Sequence, residues 1–388
     1  MKILIIGPSW VGDSVISQSL FKLIHMKLKD VEIHVLAPKW TIDIYERMEE
    51  VSKTILMPFG HGELKFKERV KLGRSLSSKK YDQAIILPNS LKSSLVPFFA
   101  DIPTRTGWKG EMRYFLLNDI RKLNKNTHPR MVDRFVALGL KDSDQLPSDI
   151  PYPQLMGNEK NTCRLSEAHG FRTSSLFPII SLCPGAEFGP SKRWPSEYYA
   201  EVAKEFLSKG WNIILLGSQN DVPIGKEIDK YLPTDLEVQI GIRAPTYLKK
   251  TRVEPIREHR FLNLIGKTKL VDAVDILKIS EFVVSNDSGL MHIAAACSNY
   301  KKEIKRPGFP TNYPHLLALF GPSSPEFTPP LNYNSKVIRK TEGYSKVRKG
   351  SDPNGYHKSL LGIKPDEVIE CLNEMINAEE TGLLKNRP

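Results

Sequence analysis

Long apolar runs are missing from this chain of 388 residues, and so are paired cysteines. No stretch approaches the ~18 apolar residues that a membrane-crossing helix needs, which argues against a spanning segment. The first residues carry one lysine, a very short apolar stretch and then Gly7-Pro8, which is not the pattern of a cleaved leader. Cys163, Cys183, Cys297 and Cys371 are far apart, with no Cys-x-x-Cys pair and no histidine cluster at metal-ligand spacing. Free thiols in a reducing cytoplasm are the simplest account of them. Tandem repeats and long low-complexity tracts are absent as well. So are zinc-finger spacing, an RNP motif and a basic helix interleaved with aromatics, which disfavours nucleic acid as a partner. Yet the formal net charge is +12, and a charge of that size implies an anionic partner. An anionic membrane surface or a phosphorylated substrate fits better than nucleic acid; a solvated basic surface would also account for the charge.

What is present is a soluble globular composition, 40% hydrophobic and 26% charged, in a chain too long for one ordinary core. At roughly 150 residues per domain the length predicts two domains. Apolar stretches at 2–6, 32–36, 54–57 and 83–87 read as strands, with a helix over about 13–28 and another over 131–138. A polar, proline-bearing stretch over 141–161 reads as an interdomain linker. The pattern then restarts, with strands at 178–182, 211–216, 262–265, 282–285 and 316–320 and helices at 197–208 and 225–231. Such alternation predicts parallel sheets covered by helices on both faces, in two doubly wound units facing one cleft. The expected division is an N-terminal acceptor domain over 1–160, a C-terminal donor domain over 170–350, and a final segment over 351–388 bearing an amphipathic helix at 365–378.

The first strand runs into Gly7-Pro8-Ser9-Trp10-Val11-Gly12, which has the glycine spacing of a Walker A phosphate loop. Such a loop needs a lysine next, to reach the phosphates. Here Asp13-Ser14 follows. A carboxylate in place of an ammonium repels a triphosphate by on the order of 1 to 4 kcal/mol at about 4 Å in a wet site. The glycines are expected to bring the backbone close to a ligand, and Asp13 to present a base rather than a cation.

Three other segments carry chemistry. In Phe282-Val283-Val284-Ser285-Asn286-Asp287-Ser288-Gly289-Leu290-Met291-His292, a strand enters a helix whose first turn holds His292. Ser288 or Asp287 would cap that helix, Gly289 would admit a ligand, and the free N–H groups would form an anion site. An ordinary capped helix with a packed histidine explains the segment equally well. Cys183-Pro184-Gly185-Ala186-Glu187-Phe188-Gly189-Pro190-Ser191-Lys192-Arg193-Trp194-Pro195 also follows a strand, where open α/β sheets bind ligands. Lys192 could then offset a pyrophosphate leaving group, or simply be solvated. Arg105-Thr106-Gly107-Trp108-Lys109-Gly110-Glu111-Met112-Arg113-Tyr114 reads as a surface turn or as a recognition element for carboxylates and phosphates. Asp142-Ser143-Asp144 matches a metal-binding Asp-x-Asp but lies in the expected linker, so it reads as a solvated turn. Two basic stretches, 241–260 and 298–313, interrupt the second unit as surface loops that could lie on an anionic surface.

Taken in order, these segments resemble glycosyltransferase family 9 over nearly the whole chain. The resemblance rests on the residues from Lys2 to Asp13, Leu87-Pro88-Asn89-Ser90, the 105–114 and 183–195 segments, and Asn286 to His292. Gly321-Pro322-Ser323-Ser324-Pro325, Lys346-Val347-Arg348-Lys349-Gly350 and Gly355-Tyr356-His357 extend it. It implies a GT-B fold of two Rossmann-like domains. It also implies metal-independent, inverting transfer of L-glycero-D-manno-heptose from ADP-heptose to the first heptose of the lipid A–Kdo inner core of lipopolysaccharide. A family relative with a different inner-core acceptor is the alternative, against which the 346–350 and 355–357 motifs weigh. The implied catalytic residues are Asp13, as general base, and Lys192, facing the leaving diphosphate. Ala186, Glu187, Asp287, Ser288, Gly289 and His292 would bind the donor. Lys92, Arg105, Lys109, Arg113, Lys346, Arg348 and Lys349 would contact the anionic acceptor. No cofactor is implied, beyond Mg²⁺ as a possible stimulant without a site. The expected location is the cytoplasmic face of the inner membrane, as a peripheral protein.

Overall fold

The computed structural model describes residues 1–60, 62–171, 178–232, 260–298 and 314–380. The basic stretches at 241–260 and 298–313 lie outside these residues, apart from Arg260 and Ser298. Strands β1 (Lys2–Ile6), β2 (Glu32–Pro38), β3 (Lys53–Met57), β4 (Gln83–Ile86), β5 (Thr104–Trp108) and β6 (Asp119–Arg121) form the first sheet, in the order β3-β2-β1-β4-β5-β6. Strands β7 (Ile179–Cys183), β8 (Asn212–Leu215), β9 (Phe261–Asn263), β10 (Phe282–Asn286), β11 (His315–Phe320) and β12 (Ser335–Arg339) form the second, in the order β12-β11-β10-β7-β8-β9. The recorded pairings are parallel in both sheets. Both sheets therefore have the same topology, with the winding reversing beside β1 in the first and beside β7 in the second. Ligands of doubly wound sheets sit at such reversal points, beyond the carboxyl ends of the strands.

The central strands were legible because parallel strands covered on both faces read as unbroken apolar runs. β7, β10 and β11 are buried along their whole length. Three other strands read differently. β5 carries arginine, threonines and a glycine, β6 has 3 residues, and β12 is largely open to solvent, so none was anticipated.

Helices of the first unit are α1 (Val11–Ile16), α2 (Gln18–Lys27), α3 (Lys39–Tyr45), α4 (Phe66–Leu76), α5 (Leu95–Phe99) and α6 (Met131–Ala137). The single helix expected over 13–28 is divided at Ser17, whose hydroxyl donates to the Ser14 carbonyl at 2.7 Å. Serine back-bonding of this kind bends helices. The remaining helices are α7 (Glu159–His169), α8 (Ser196–Ser208), α9 (Val222–Tyr231), α10 (Leu270–Lys278), α11 (Gly289–Cys297), α12 (Lys358–Leu361) and α13 (Pro365–Glu380). Helix α13 packs on α8, and its Val368, Leu372 and Met375 join the outer core of the second sheet, so the tail is built into that unit.

The stretch expected to be a linker is tied down on both sides. Gln18 donates through Nε2 to the Gln154 carbonyl at 2.7 Å and accepts from the Gln154 amide at 2.7 Å. Arg47 of the first unit meets the fully buried Asp275 of α10 at 2.7 Å, and the same carboxylate accepts from the Asn158 amide at 2.7 Å. One apolar core runs through both units, with Ile3, Val15 and Leu20 in the same cluster as Ala273, Met291 and Ile293.

Helices α1 and α11 meet start to start across the cleft. A Cβ on Gly12 would lie 2.6 Å from His292 Cδ2, and one on Gly289 would lie 2.8 Å from Val11 Cβ. The approach thus requires glycine on both sides. Gly289→Ala is expected to lower the midpoint of thermal unfolding by a few degrees, an overpacking cost of about 1–3 kcal/mol. Val11→Ala in the same chain should recover part of the loss. An unchanged midpoint in Gly289→Ala would show that this contact does not set the crossing.

Candidate active site

Asp13 occupies the first turn of α1, reached from β1 through a short loop that Trp40 holds by donating its indole N–H to the Ser9 carbonyl at 2.7 Å. The carboxyl group is partly open to a cavity of about 760 Å³ between the two units, but it is otherwise densely surrounded. Burial pushes its pKa from 3.8 up to about 6; the Lys192 ammonium opposes this and the Asp287 carboxylate reinforces it. The cause is the cost of an ion in a poorly solvated place. Asp13 is therefore a stronger base than an exposed aspartate and still ionised at neutral pH.

Facing it, the loop after β7 closes with a single 3-10 turn that presents Lys192. Its ammonium sits 2.5 Å from Asp287 Oδ2 and 5.4 Å from the centre of the Phe188 ring. Asn286, fully buried at the end of β10, fixes this loop from below. It donates to the Pro184 carbonyl at 2.7 Å and accepts from the Trp194 amide at 3.1 Å and the Tyr199 hydroxyl at 3.1 Å. Buried polar side chains need such partners, and here they lock two loops together.

Helix α11 starts after Ser288, whose hydroxyl makes no cap bond and has no hydrogen-bond partner among the described residues. Ser288, Gly289 and Leu290 line the cavity, and the amides of a helix start lack intrahelical partners, which makes this a favourable place for an anion. His292, one turn on, is buried. That burial lowers its pKa from 6.5 to about 4, with Asp287 opposing and Lys192 adding to the effect, so the imidazole is neutral at physiological pH.

Every residue assigned to catalysis or to the donor lines this one cavity: Asp13, Lys192, Ala186, Glu187, Asp287, Ser288, Gly289 and His292. None of the residues assigned to the acceptor does. Arg113 is buried, and its guanidinium donates to the carbonyls of Pro88 at 2.9 Å and Trp108 at 2.7 Å and to Asn89 Oδ1 at 2.7 Å. Burial pushes its pKa down to about 10. The expectation of an acceptor contact is corrected for this residue: Arg113 staples the loop after β4 to the one after β5. Arg105 stands near the start of β5, far along the strand from the cleft end, and donates to the carbonyls of Leu116 at 2.8 Å and Ile102 at 2.6 Å. Lys92 and Lys109 do follow the carboxyl ends of β4 and β5. The 346–349 segment lies on the donor side. The Ser191 hydroxyl donates to the Val347 carbonyl, the Ser191 amide to the Arg348 carbonyl at 3.3 Å, and the Arg348 guanidinium stands 5.5 Å from the Phe188 ring centre.

The glycines of the first loop have a packing role as well. A Cβ at Gly7 would lie 2.8 Å from the Tyr45 hydroxyl, and one at Gly12 would meet His292, so both glycines also make room for protein atoms, while Gly12 lines the cavity. Asp142 pairs with Arg121 at 3.7 Å and Asp144 with Lys27 at 3.8 Å, on the surface.

The sequence reading missed one wall of the cavity: Gly217-Ser218-Gln219-Asn220-Asp221 after β8 and Thr268-Lys269-Leu270 after β9, with Trp40 opposite. Asp221 accepts from the Ser218 amide at 2.9 Å and hydroxyl at 2.7 Å and lies 3.7 Å from Arg193, which itself donates to the Ala186 carbonyl at 3.2 Å. The available signal was positional, since each segment follows the carboxyl end of a parallel strand.

Comparison with known proteins agrees with this geometry. The family model for glycosyltransferase family 9 (heptosyltransferase) matches residues 69–357. The chain is 46% identical over 388 residues to lipopolysaccharide heptosyltransferase 2 of Escherichia coli strain K12, covering 98% of this chain and 100% of that one. It is 44% identical over 391 residues to lipooligosaccharide heptosyltransferase 2 of Haemophilus influenzae, covering 97% and 99%. The solved structure of E. coli ADP-heptose lps heptosyltransferase II matches with a TM-score of 0.80 at 41% identity, over 98% of this chain and 100% of that chain. A family 9 glycosyl transferase from Veillonella parvula shares the fold, with a TM-score of 0.76 at 17% identity over 96% of both chains. The two facing doubly wound sheets are thus the GT-B fold, and the chain belongs to glycosyltransferase family 9, the heptosyltransferases.

Proposed function

We propose that the chain transfers L-glycero-D-manno-heptose from ADP-heptose to the first heptose of the lipid A–Kdo inner core, inverting the anomeric centre in one displacement. The observation that carries the reading is one cavity holding a carboxylate with a raised pKa on one wall and a lysine beside an open helix start on the other. The family membership and the name of the E. coli relative supply the sugar and the nucleotide.

In the reaction, the acceptor hydroxyl attacks the anomeric carbon while Asp13 takes its proton. The bond from that carbon to the diphosphate oxygen breaks, and the electron pair leaves with ADP. A positioned carboxylate base contributes typically 10² to 10⁴-fold. Lys192 and the amides at Ser288 and Gly289 would meet the growing charge on the leaving diphosphate, Lys192 exchanging its contact with Asp287 for the phosphate. Ala186 and Glu187 would border the donor, Asp287 would turn to the heptose hydroxyls, and neutral His292 would accept or donate one hydrogen bond without adding charge. Lys92 and Lys109 are the proposed acceptor contacts on the first unit. Arg105 and Arg113 would shape the loops that carry them, and Lys346, Arg348 and Lys349 would close over the donor loop. The acceptor is a lipid, so the enzyme would work as a peripheral protein at the cytoplasmic face of the inner membrane.

The direct test offers purified protein ADP-heptose with inner-core acceptors carrying zero, one or two heptoses. Transfer is expected to the acceptor with one heptose. Preference for either of the others would support the alternative, a family relative with a different acceptor.

Asp13→Asn should lower kcat by about 10² to 10⁴-fold and abolish the acidic limb of the kcat/KM profile, which in the parent enzyme should fall below about pH 6. Because the folded pKa lies above the unfolded one, ionising Asp13 costs folding stability as pH rises from 3.8 to about 6. The asparagine variant should therefore unfold at higher temperature than the parent at pH 7 and at nearly the same temperature at pH 4. A variant with a near-parental rate would rule out the base.

Lys192→Met removes the cation that favours the Asp13 carboxylate and leaves Asp287 without its partner, so the acidic limb should move to higher pH. Asp287→Asn should move it to lower pH. Equal shifts in one direction would contradict this coupling.

A further inference from the structure

Three turns of the first unit follow the carboxyl ends of neighbouring strands and so lie on the edge of the sheet that opens to the cleft: 58–65 after β3, 87–94 after β4 and 109–118 after β5. They are joined into one face. Arg69 donates to the Leu64 carbonyl at 2.6 Å and to the Lys92 carbonyl at 3.4 Å. The Leu91 amide donates to Glu111 Oε2 at 2.7 Å, and Phe66 at the start of α4 packs edge-on against Phe99 of α5 at 5.9 Å.

This face presents large apolar side chains to solvent at the tips of its turns. Phe115 is 88% exposed and Met112 is 82% exposed, with Tyr114, Leu64, Phe66 and Leu91 around them. Side chains of this size leave water wherever the fold allows it, and a cluster of them on a soluble surface marks an interaction site. Their presentation also strains the backbone. Glu111 and Met112 are consecutive non-glycine residues with φ of 42° and 48°, and Lys65 has φ of 42°. Such conformations persist only where the surrounding structure enforces them, and here the Arg113 staple and the Leu91–Glu111 bond do so.

The charge around the apolar tips is predominantly basic, with Glu68 in the first turn of α4 as an exposed carboxylate among the lysines. Lys65, Lys67, Lys92 and Lys109 border the face, and none has an acidic partner among the described residues. Two nearby carboxylates are occupied by backbone amides, Glu63 with Gly60 at 2.9 Å and Glu111 with Leu91. Clustered apolar tips bordered by long-stemmed cations match the interface of an anionic bilayer, where apolar ends enter the acyl boundary and ammonium groups meet the headgroups.

We propose that this face is the bilayer-docking surface, inserting Met112 and Phe115 while Lys65 and Lys67 contact anionic headgroups. The inference draws on the proposed function in one respect, a lipid-borne acceptor, whose sugars would then rise from the same surface toward Asp13.

Vesicles of phosphatidylethanolamine with phosphatidylglycerol, and of phosphatidylcholine alone, are incubated with the full chain and sedimented. The parent protein should partition onto the anionic vesicles, less so at high salt. Met112→Ser with Phe115→Ser should weaken that partition about tenfold, and Lys65→Glu with Lys67→Glu should remove most of its salt dependence. All these side chains are solvent-exposed, so both variants should unfold at the parental temperature. With a deacylated, soluble acceptor the Met112/Phe115 variant should react within about twofold of the parent, while with acceptor embedded in vesicles it should lose about tenfold.

Unchanged vesicle binding in both variants would overturn the proposal. So would equal loss on soluble and embedded acceptors, which would make these residues acceptor contacts. So would a self-associated parent that the Met112/Phe115 variant turns to monomer without any change in vesicle binding. The sedimentation arm needs no catalysis, so it stands even if the protein transfers a different sugar.

Discussion

The site depends on one contact, the meeting of two helix starts across the cleft. Gly12 lies against the buried imidazole of His292, and Gly289 lies against Val11. Without side chains at these two glycines, α1 and α11 approach closely enough for the Asp13 carboxyl to feel both Lys192 and Asp287. Each unit alone holds half of the electrostatics. The first has a carboxylate with nothing to modulate it, and the second an ion pair with no base opposite. Their joint field exists because the backbone at each glycine meets a side chain of the other helix, and a methyl group at either position would push the halves apart.

Burial then decides which groups carry charge. The same poorly solvated cavity raises the Asp13 pKa and lowers that of His292, so proton affinity is concentrated on the carboxylate and removed from the imidazole. Lys192 and Asp287 neutralise one another at 2.5 Å until a ligand arrives. A donor diphosphate would enter a site whose net charge is small but whose cation is already positioned. Beneath it, Asn286 serves Pro184, Trp194 and Tyr199 at once, which ties the height of the Lys192 loop to the end of β10.

Much of this was legible in the sequence, for a physical reason. Strands covered on both faces must be apolar along their length, so β1, β7, β10 and β11 declared themselves, and the residues just beyond them followed as site candidates. β5 did not, although β4 and β6 pair with it on both sides, because its arginine, threonines and glycine suit a turn as well. Arg113 was misjudged because residue type gives the charge of a guanidinium but not its direction, and here it turns inward to carbonyl oxygens. Gly7 has a packing reason that the sequence does not show: its missing side chain makes room for Tyr45. Gly217 to Asp221 escaped notice because their residue types are those of any turn; only their place beyond β8 marks them.

The core that runs through both units has an evolutionary consequence. Ile3, Val15 and Leu20 share their packing with Ala273, Met291 and Ile293, and Arg47 is the counter-ion of a carboxylate buried in the other unit. The two units are therefore not free cassettes. A half acquired by recombination from a distant relative would arrive with the wrong complementary surface and an orphaned charge. New acceptor preferences would more readily arise by changes in the turns beyond β3, β4 and β5 than by exchange of whole halves.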